Sequence, residues 1–231
     1  MVRFGPPPAA SRIMNDFCIG IIDSGGPSLQ GGRRFVLTDG GVATAAPLPD
    51  RLRHGSAVEA VMRRALTGVT VRHAQVFGER PVTSAAQVAA AVRWLALEER
   101  VPLICLSLGL PTDRPVLREA CADAVAAGAV LVAAAPAQGA ACYPAAYAGV
   151  IAATGDARCA FDEISALPHA LGAWCSSPEH GDGGGMGGAS IGCARLAAHA
   201  ARMITKGVPD VRAALEAAAV YHGREHRGVT P

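Results

Sequence analysis

Three short segments of the sequence carry residue types that together perform nucleophilic catalysis. Asp23 ends the apolar run CIGIID, His54 opens the segment HGSAVEAV, and Ser190 stands between a glycine-rich stretch and a long apolar run. A serine attacks a carbonyl when a histidine takes its proton and an aspartate holds that histidine. The chain order Asp, His, Ser is one of three that unrelated triad folds use. We therefore predict an acyl-transfer site.

Each of these residues also has an ordinary structural role. An aspartate after a strand commonly forms a turn, and a histidine or serine at a helix start commonly caps it. The glycine-rich stretch GDGGGMGG is an alternative phosphate loop, but it lacks the P-loop lysine and an immediately preceding strand. Taken singly, none of the three predicts catalysis.

Strands and helices alternate along the chain. Apolar runs predict strands at 17–22, 69–76, 101–108, 129–135 and 149–153. Helical patterns cover 54–66, 84–99, 114–127, 190–205 and 208–219. The apolar runs are continuous, as in strands buried on both faces. We predict an α/β fold with three layers, a mostly parallel central sheet with helices on both faces.

This fold would place the three residues at one edge of the sheet. Asp23 leaves its strand at the carboxyl end, where ligands bind in such sheets. Asp50 precedes His54 by four residues and is expected to cap the helix that His54 begins. Ser190 is expected at a helix N-terminus, where free N–H groups and the helix dipole stabilise an oxyanion.

Composition narrows the class of protein. The 231 residues, 51% of them hydrophobic, suit one domain over 17–220. It would lie between a flexible N-terminal arm (1–16) and a basic C-terminal tail (221–231). The net charge is +2, Lys206 is the only lysine and the arginines are scattered, so we expect no nucleic-acid partner. The N-terminus has no signal-peptide run and no span, which predicts a cytoplasmic protein without a membrane partner.

Cysteines and histidines give no metal site. The seven cysteines show no CxxC spacing, and four lie in apolar segments, so we expect reduced core thiols. These four are Cys18, Cys105, Cys121 and Cys193. His222 and His226 have a helical ligand spacing, but Gly223 and Gly228 disfavour a helix there.

The chain resembles the subtilisin-like serine peptidases, the subtilases, from Phe17 to about Ile204. IIDSG is similar to the family's aspartate strand, HGSAVEA to HGTHVAG and GASIGCA to GTSMAxP. LICLSLGLP resembles NMSLGGP, GAVLVAAAPAQG resembles GVVVVAAAGNEG, and YPAAYAGVIAATG resembles YPAxYxxVIAVGA. Six collinear segments at family-like spacings predict a subtilisin-like fold. They imply peptide hydrolysis through an acyl-enzyme, with Ser190 as nucleophile, His54 as base and Asp23 orienting the imidazole.

The resemblance also implies how a peptide or protein substrate binds. The substrate would lie as an extended strand along Ser107, Leu108 and Gly109. The opposite wall of the first specificity pocket would be formed by Ala134, Ala135 and Pro136. Cys142 stands at a family glycine position at the base of this pocket, which predicts a narrow pocket and cleavage after Gly, Ala or Ser. No cofactor is implied.

The oxyanion hole departs from the family pattern. The family asparagine in AAAGNEG aligns with Ala137, which has no side-chain donor. In subtilisin, loss of that donor lowers turnover about a hundred- to a thousandfold. The amide of Gln138 and the backbone N–H of Ser190 are the remaining candidate donors. Either catalysis is slow or Gln138 compensates.

Other departures from the family pattern suggest a protease with a restricted range of substrates. Ala57 replaces the second histidine of the family segment, and the sequence shows no calcium-loop spacing between Asp23 and His54. Compact family members are known in the maturation of modified peptides, including leader removal from the small crosslinked subunit of quinohemoprotein amine dehydrogenase. We expect a dedicated processing protease. The alternatives are a catalytically impaired peptide-binding chaperone or assembly factor, and an esterase or ligase that uses the same acyl-enzyme.

Overall fold

The structure is a computed structural model and describes residues 17–177 and 186–224. These ranges contain twelve strands: β1 Cys18–Asp23, β2 Arg33–Thr38, β3 Gly41–Ala45, β4 Thr70–Gln75, β5 Leu103–Leu106, β6 Val130–Ala134, β7 Val150–Gly155, β8 Ile164–Ala166, β9 Leu171–Ala173, β10 Ser176–Ser177, β11 Met186–Gly187 and β12 Tyr221–His222. The strands β10 and β11 pair only with each other, and the other ten form one sheet.

Five α-helices accompany the strands: α1 His54–Ala65, α2 Ala85–Arg93, α3 Pro115–Ala126, α4 Ala189–Thr205 and α5 Val211–Ala217. A π-helical turn, Trp94–Glu98, extends α2. Their starts carry recognisable signals, since Ser84 and Gln87 form a capping box before α2 and the Asp210 side chain accepts the Ala213 N–H at the start of α5. Within the described ranges, no helix is long and apolar enough to cross a bilayer.

The large sheet is mostly parallel. Its strand order is β12-β8-β9-β7-β6-β5-β1-β4-β2-β3, and only β2–β3 and β8–β9 pair antiparallel. Helices α1, α4 and α5 pack on one face, and α2 and α3 pack on the other. The predicted three-layer α/β class is confirmed.

Side chains alternate between two cores along each central strand. In β1, Ile19 and Ile21 join the core beneath α1 and α4, whereas Ile22 joins the core beneath α2 and α3. In β5, Leu103 faces the first core and Ile104 the second. This two-sided burial is why the central strands read as continuous apolar runs.

The parallel order brings several chain segments to one edge. β1, β5, β6 and β7 are linked by parallel pairings, so their carboxyl ends share that edge. The N-termini of α1 and α4 also meet this edge, because Gly55 approaches Gly25 and Gly192 approaches Thr154. A Cβ on Gly55 would lie 2.0 Å from the Gly25 carbonyl oxygen, and one on Gly192 would lie 2.2 Å from that of Thr154. Only glycine permits these approaches.

Each predicted strand and helix is present, with bounds shifted by a few residues. The sequence pattern missed the β2–β3 hairpin and the short strands β8 to β12. At the start of the predicted tail, Tyr221 and His222 form β12 and pair with β8. The predicted arm at 1–16, the rest of the tail from 225 and residues 181–185 of the glycine-rich stretch at 181–188 lie outside the described residues.

Candidate active site

Asp23 and His54 form a hydrogen-bonded pair at the carboxyl edge of the sheet. Asp23 is the last residue of β1 and is fully buried, whereas the His54 side chain is 29% exposed. The His54 Nδ1 lies 2.7 Å from Oδ1 and 2.8 Å from Oδ2 of Asp23. A carboxylate accepts only, so Nδ1 carries the proton and Nε2 is left as a base.

Ser24 links the aspartate strand to the histidine helix. Its backbone N–H donates to Asp23 Oδ1 at 2.6 Å, which fixes the carboxylate plane. Its hydroxyl accepts the Gly55 N–H at 3.0 Å and donates to Asp50 Oδ1 at 2.8 Å. Ser24 thereby joins the end of β1 to the first turn of α1.

Asp50 caps the helix that begins at His54. Its Oδ2 accepts the Ser56 N–H at 2.8 Å and the Ser56 hydroxyl at 2.7 Å, and its Oδ1 accepts the Arg53 N–H at 2.9 Å. Burial by itself would raise the pKa of Asp50, but hydrogen bonds from Ser56 and Ser24 outweigh it and lower the pKa below 3.8. The residue before His54, Arg53, has a φ of 57°, a left-handed conformation unfavourable for a side chain with a Cβ.

Ser190 is the second residue of α4, as predicted for an oxyanion-stabilising helix start. Its hydroxyl donates to the Ser107 carbonyl oxygen at 3.4 Å, and the Ser107 hydroxyl donates to the Ser190 carbonyl oxygen at 3.3 Å. These contacts hold the start of α4 against the end of β5. The two described residues Ser190 and His54 share no hydrogen bond. In catalytic triads this bond is commonly long until substrate binds.

A cleft of about 580 Å³ opens beside the Asp23–His54 pair. It is lined by the whole predicted substrate strand, Ser107, Leu108 and Gly109. The remaining lining residues are apolar except for Thr83: Leu52, Phe77, Pro81, Val82, Leu110, Pro111 and Met186. Beside the Asp23–His54 pair, the cleft therefore presents a largely apolar surface.

Cys142 fills the space between the two predicted walls of the specificity pocket. Its Sγ lies 3.1 Å from where a Cβ on Gly109 would stand and donates to the Ala134 carbonyl oxygen at 3.4 Å. Leu110 and Tyr143 exchange backbone hydrogen bonds next to it, at 2.7 and 2.9 Å, which fixes the position of Cys142. A glycine here would leave the space open.

Several other predicted pocket and oxyanion residues lie apart from the cleft beside Asp23 and His54. Ala135, Pro136 and Cys142 line a second cavity of about 570 Å³, together with Ala137 and Gln138. Ala134 is buried, and its carbonyl oxygen accepts the Cys142 thiol. Gln138 is exposed and does not line the cleft beside His54, so the structure does not bring its amide to the predicted oxyanion position.

Sequence reasoning missed the connecting residues. Ser24, Phe77, Val82 and Met186 border the site, but none belongs to a pattern that marks chemistry. Of these four, Ser24 could have been found from the sequence. Its hydroxyl in IIDSG directly follows the aspartate strand, and such hydroxyls commonly bond to nearby backbone groups.

The cysteines do not form disulfides. All seven are free, and Cys105, Cys121 and Cys193 are buried as expected, while Cys18 is partly buried. The Sγ atoms of Cys105 and Cys193 lie 3.7 Å apart beneath the site, and this contact together with burial raises the pKa of Cys105. Across residues 17–177 and 186–224, no three His, Cys, Asp or Glu side chains gather as metal ligands would.

The hydrogen bond with Asp23 raises the pKa of His54 above its ordinary 6.5, although burial opposes this. A general base must be neutral, so we expect kcat/KM to rise with pH through a pKa above 6.5. The same pair stabilises the fold fully below pH 6.5 and loses that contribution as pH rises through the folded pKa. The melting temperature of the wild type, relative to His54→Gln, should therefore fall over the interval in which kcat/KM rises. His169→Gln, an exposed histidine elsewhere, should not change this difference; a wild-type advantage that grows with pH would contradict the assignment.

Comparisons of the sequence with protein-family models and with curated proteins gave no match.

Proposed function

We propose that this chain is a subtilisin-like serine endopeptidase that acts through an acyl-enzyme. The observation that carries the proposal is the Asp23–His54 pair, with Nδ1 between 2.7 and 2.8 Å from both carboxylate oxygens, at the same sheet edge as a serine at a helix N-terminus. A turn-forming aspartate or a capping histidine needs no such pairing. The resemblance of the three motifs points to the same chemistry.

The mechanism assigns one role to each residue. Ser190 Oγ attacks the substrate carbonyl carbon and passes its proton to His54 Nε2. The buried Asp23 carboxylate stabilises the imidazolium that forms and keeps Nδ1 protonated. His54 then gives its proton to the leaving amine, and water hydrolyses the ester to regenerate Ser190. The free N–H groups in the first turn of α4, including that of Ser190, stabilise the oxyanion.

Labelling with a fluorophosphonate probe tests this proposal. We expect one probe per chain, located at Ser190 by peptide mapping. Ser190→Ala should abolish the label, and Ser28→Ala, a change at an exposed serine, should leave it unchanged. A folded protein that takes up no label would refute the peptidase and support the peptide-binding chaperone instead.

The narrowed pocket predicts a strong preference at the residue before the cleaved bond. Because Cys142 fills the space between Gly109 and Ala134, we expect peptides with Ala or Gly there to be cut about a hundredfold faster than matched peptides with Phe. Cys142→Gly should remove most of this preference by raising kcat/KM for the Phe peptide about tenfold or more. Cys18→Ala, at the amino end of β1, is the matched control and should change neither rate. Equal rates for Ala and Phe peptides in the wild type would exclude the narrow pocket.

We further propose that the enzyme is a cytoplasmic processing protease. Its support is the resemblance to compact subtilases that remove leader peptides, such as the one acting on the crosslinked subunit of quinohemoprotein amine dehydrogenase, together with the narrow pocket. Mass spectrometry of proteins encoded beside this chain, incubated with wild type or Ser190→Ala, tests this role. One dominant cut after a small residue is expected; many cuts in unrelated proteins would indicate a general protease.

A further inference from the structure

A groove separate from the cleft beside Asp23 and His54 runs along β7. The chain between β6 and β7 contains no helix, so this crossover leaves one face of β7 uncovered by a helix of its own. Val150, Ala152 and Thr154 point to that face and line the cavity of about 570 Å³, whereas Ile151 and Ala153 point to the opposite core. A second cavity, of about 450 Å³, continues past Gly155.

The length of this groove suits a peptide. It follows all six residues of β7, which span about 20 Å at roughly 3.3 Å per residue. An extended peptide of about six residues has the same length. Alanine, glycine and proline make up most of the 135–149 wall, so a bound backbone can approach closely.

The floor of the groove holds an unpartnered hydrogen-bonding group. Thr154 is 1% exposed, and its hydroxyl has no hydrogen-bond partner among the described residues. An unpaired buried hydroxyl is costly, so one at a cavity wall is placed to bond a polar group of a ligand.

The charges at the groove favour an anionic occupant. Arg212 stands at the amino end of β7, where its Nη2 donates to the Val150 carbonyl oxygen, and Arg224 lines both cavities toward the carboxyl end. An adjoining cavity of about 410 Å³ shares several lining residues with the groove. The other ionisable side chains that line the groove and this cavity are Asp156, Arg158, Glu216, His169 and His222. Asp156 and Arg158 form an ion pair at 2.7 Å. The net charge of these side chains is positive, because three arginines outnumber two carboxylates.

We propose that this groove is a second binding site for an extended acidic peptide, with its carboxylates on Arg212 and Arg224 and a backbone or side-chain group on the Thr154 hydroxyl. The 135–142 segment forms one wall of the groove and also carries Cys142, so a peptide held here lies next to the specificity pocket. Resting on the proposed function, this peptide is a part of the substrate other than the residues that flank the cleaved bond.

Binding to Ser190→Ala tests the site without requiring catalysis. The probe is a fluorescein-labelled hexapeptide of alternating Glu and Ala, compared by anisotropy with alternating Gln and Ala. We expect only the acidic peptide to bind, and binding should weaken as salt rises. Arg212→Glu and Arg224→Glu should each weaken it about tenfold, while Arg100→Glu, an exposed arginine elsewhere, should not. Equal binding of both peptides, or no effect of either groove variant, would overturn the proposal.

The Thr154→Val variant is a second test of the binding site, and it does not depend on charge. Because the hydroxyl is unpaired in the free protein, the isosteric valine should keep or raise the melting temperature. It should nevertheless weaken the acidic peptide about threefold or more, since it removes a hydrogen bond made only in the complex. A variant that melts lower and binds as the wild type would refute the ligand role. Absence of fluorophosphonate label with intact peptide binding would remove the peptidase and leave this site standing.

Discussion

Replacing Asp23 with asparagine is expected to lower kcat about ten-thousandfold without unfolding the protein. The Ser24 N–H donates to Asp23 Oδ1 at 2.6 Å, so the amide oxygen of the asparagine keeps that position. Its NH₂ group then faces His54 Nδ1 and donates to it. The imidazole proton is forced onto Nε2, where it blocks transfer from Ser190.

Steady-state hydrolysis of a peptide with alanine before the cleaved bond would measure this loss. The melting temperature should change little, because the asparagine fills the same buried volume and retains its partners. Asp39→Asn, an exposed change in the β2–β3 turn, is the matched control and should keep full turnover. A turnover within tenfold of wild type in Asp23→Asn would mean that Asp23 does not orient the base.

The central part of the fold was predictable because its strands are buried on both faces. Runs such as FCIGII and PLICLSL contain enough consecutive apolar residues to be read without structural information. The strands β8 and β9 have three residues each, too few for any periodicity to show. The β2–β3 hairpin had a readable signal in Asp39-Gly40-Gly41, which is typical of tight hairpin turns.

The candidate site likewise contains some residues that the sequence could locate and others that it could not. Asp23, His54 and Ser190 could be located because each stands at a transition between a loop or strand end and an apolar element. Gln138 could not, since the direction of an exposed loop side chain depends on tertiary contacts that sequence spacing does not encode. The resemblance predicted that Cys142 lies beside the substrate strand; its contact with Gly109 is between residues 33 positions apart, which no spacing rule in the sequence encodes.

The second expected result concerns Asp50, which we infer to be a positioning residue for His54. It accepts four hydrogen bonds, from Ser24, Arg53 and both donors of Ser56, and forms none with the described residues Asp23 and His54. The Arg53 N–H bond also holds the left-handed residue that precedes the histidine. Without Asp50, the first turn of α1 loses its cap, and its link to the end of β1 is reduced to the bond between the Gly55 N–H and the Ser24 hydroxyl.

We therefore expect Asp50→Ala to lower kcat about a hundredfold with little change in KM, because the substrate strand at 107–109 is untouched. It should also destabilise the fold by about 2 to 4 kcal/mol, since it removes charge-assisted bonds and leaves their donors unpaired. The lowered pKa of Asp50 implies that this contribution is present above pH 3.8 and disappears as pH falls through the folded value. Urea unfolding of the wild type and Asp50→Ala at pH 7 and pH 3 would measure it.

Ser24→Ala separates positioning from general stability. If Asp50 acts on His54 through Ser24, the losses in kcat from Ser24→Ala and Asp50→Ala should overlap in the double variant rather than multiply. Purely structural roles would give losses in kcat that follow the loss in melting temperature across the three variants. Asp50→Asn should lie between wild type and alanine, because one amide oxygen can still accept the Ser56 or Arg53 N–H while the NH₂ group cannot. Equal kcat in wild type and Asp50→Ala would show that the Asp23 contact alone orients the imidazole.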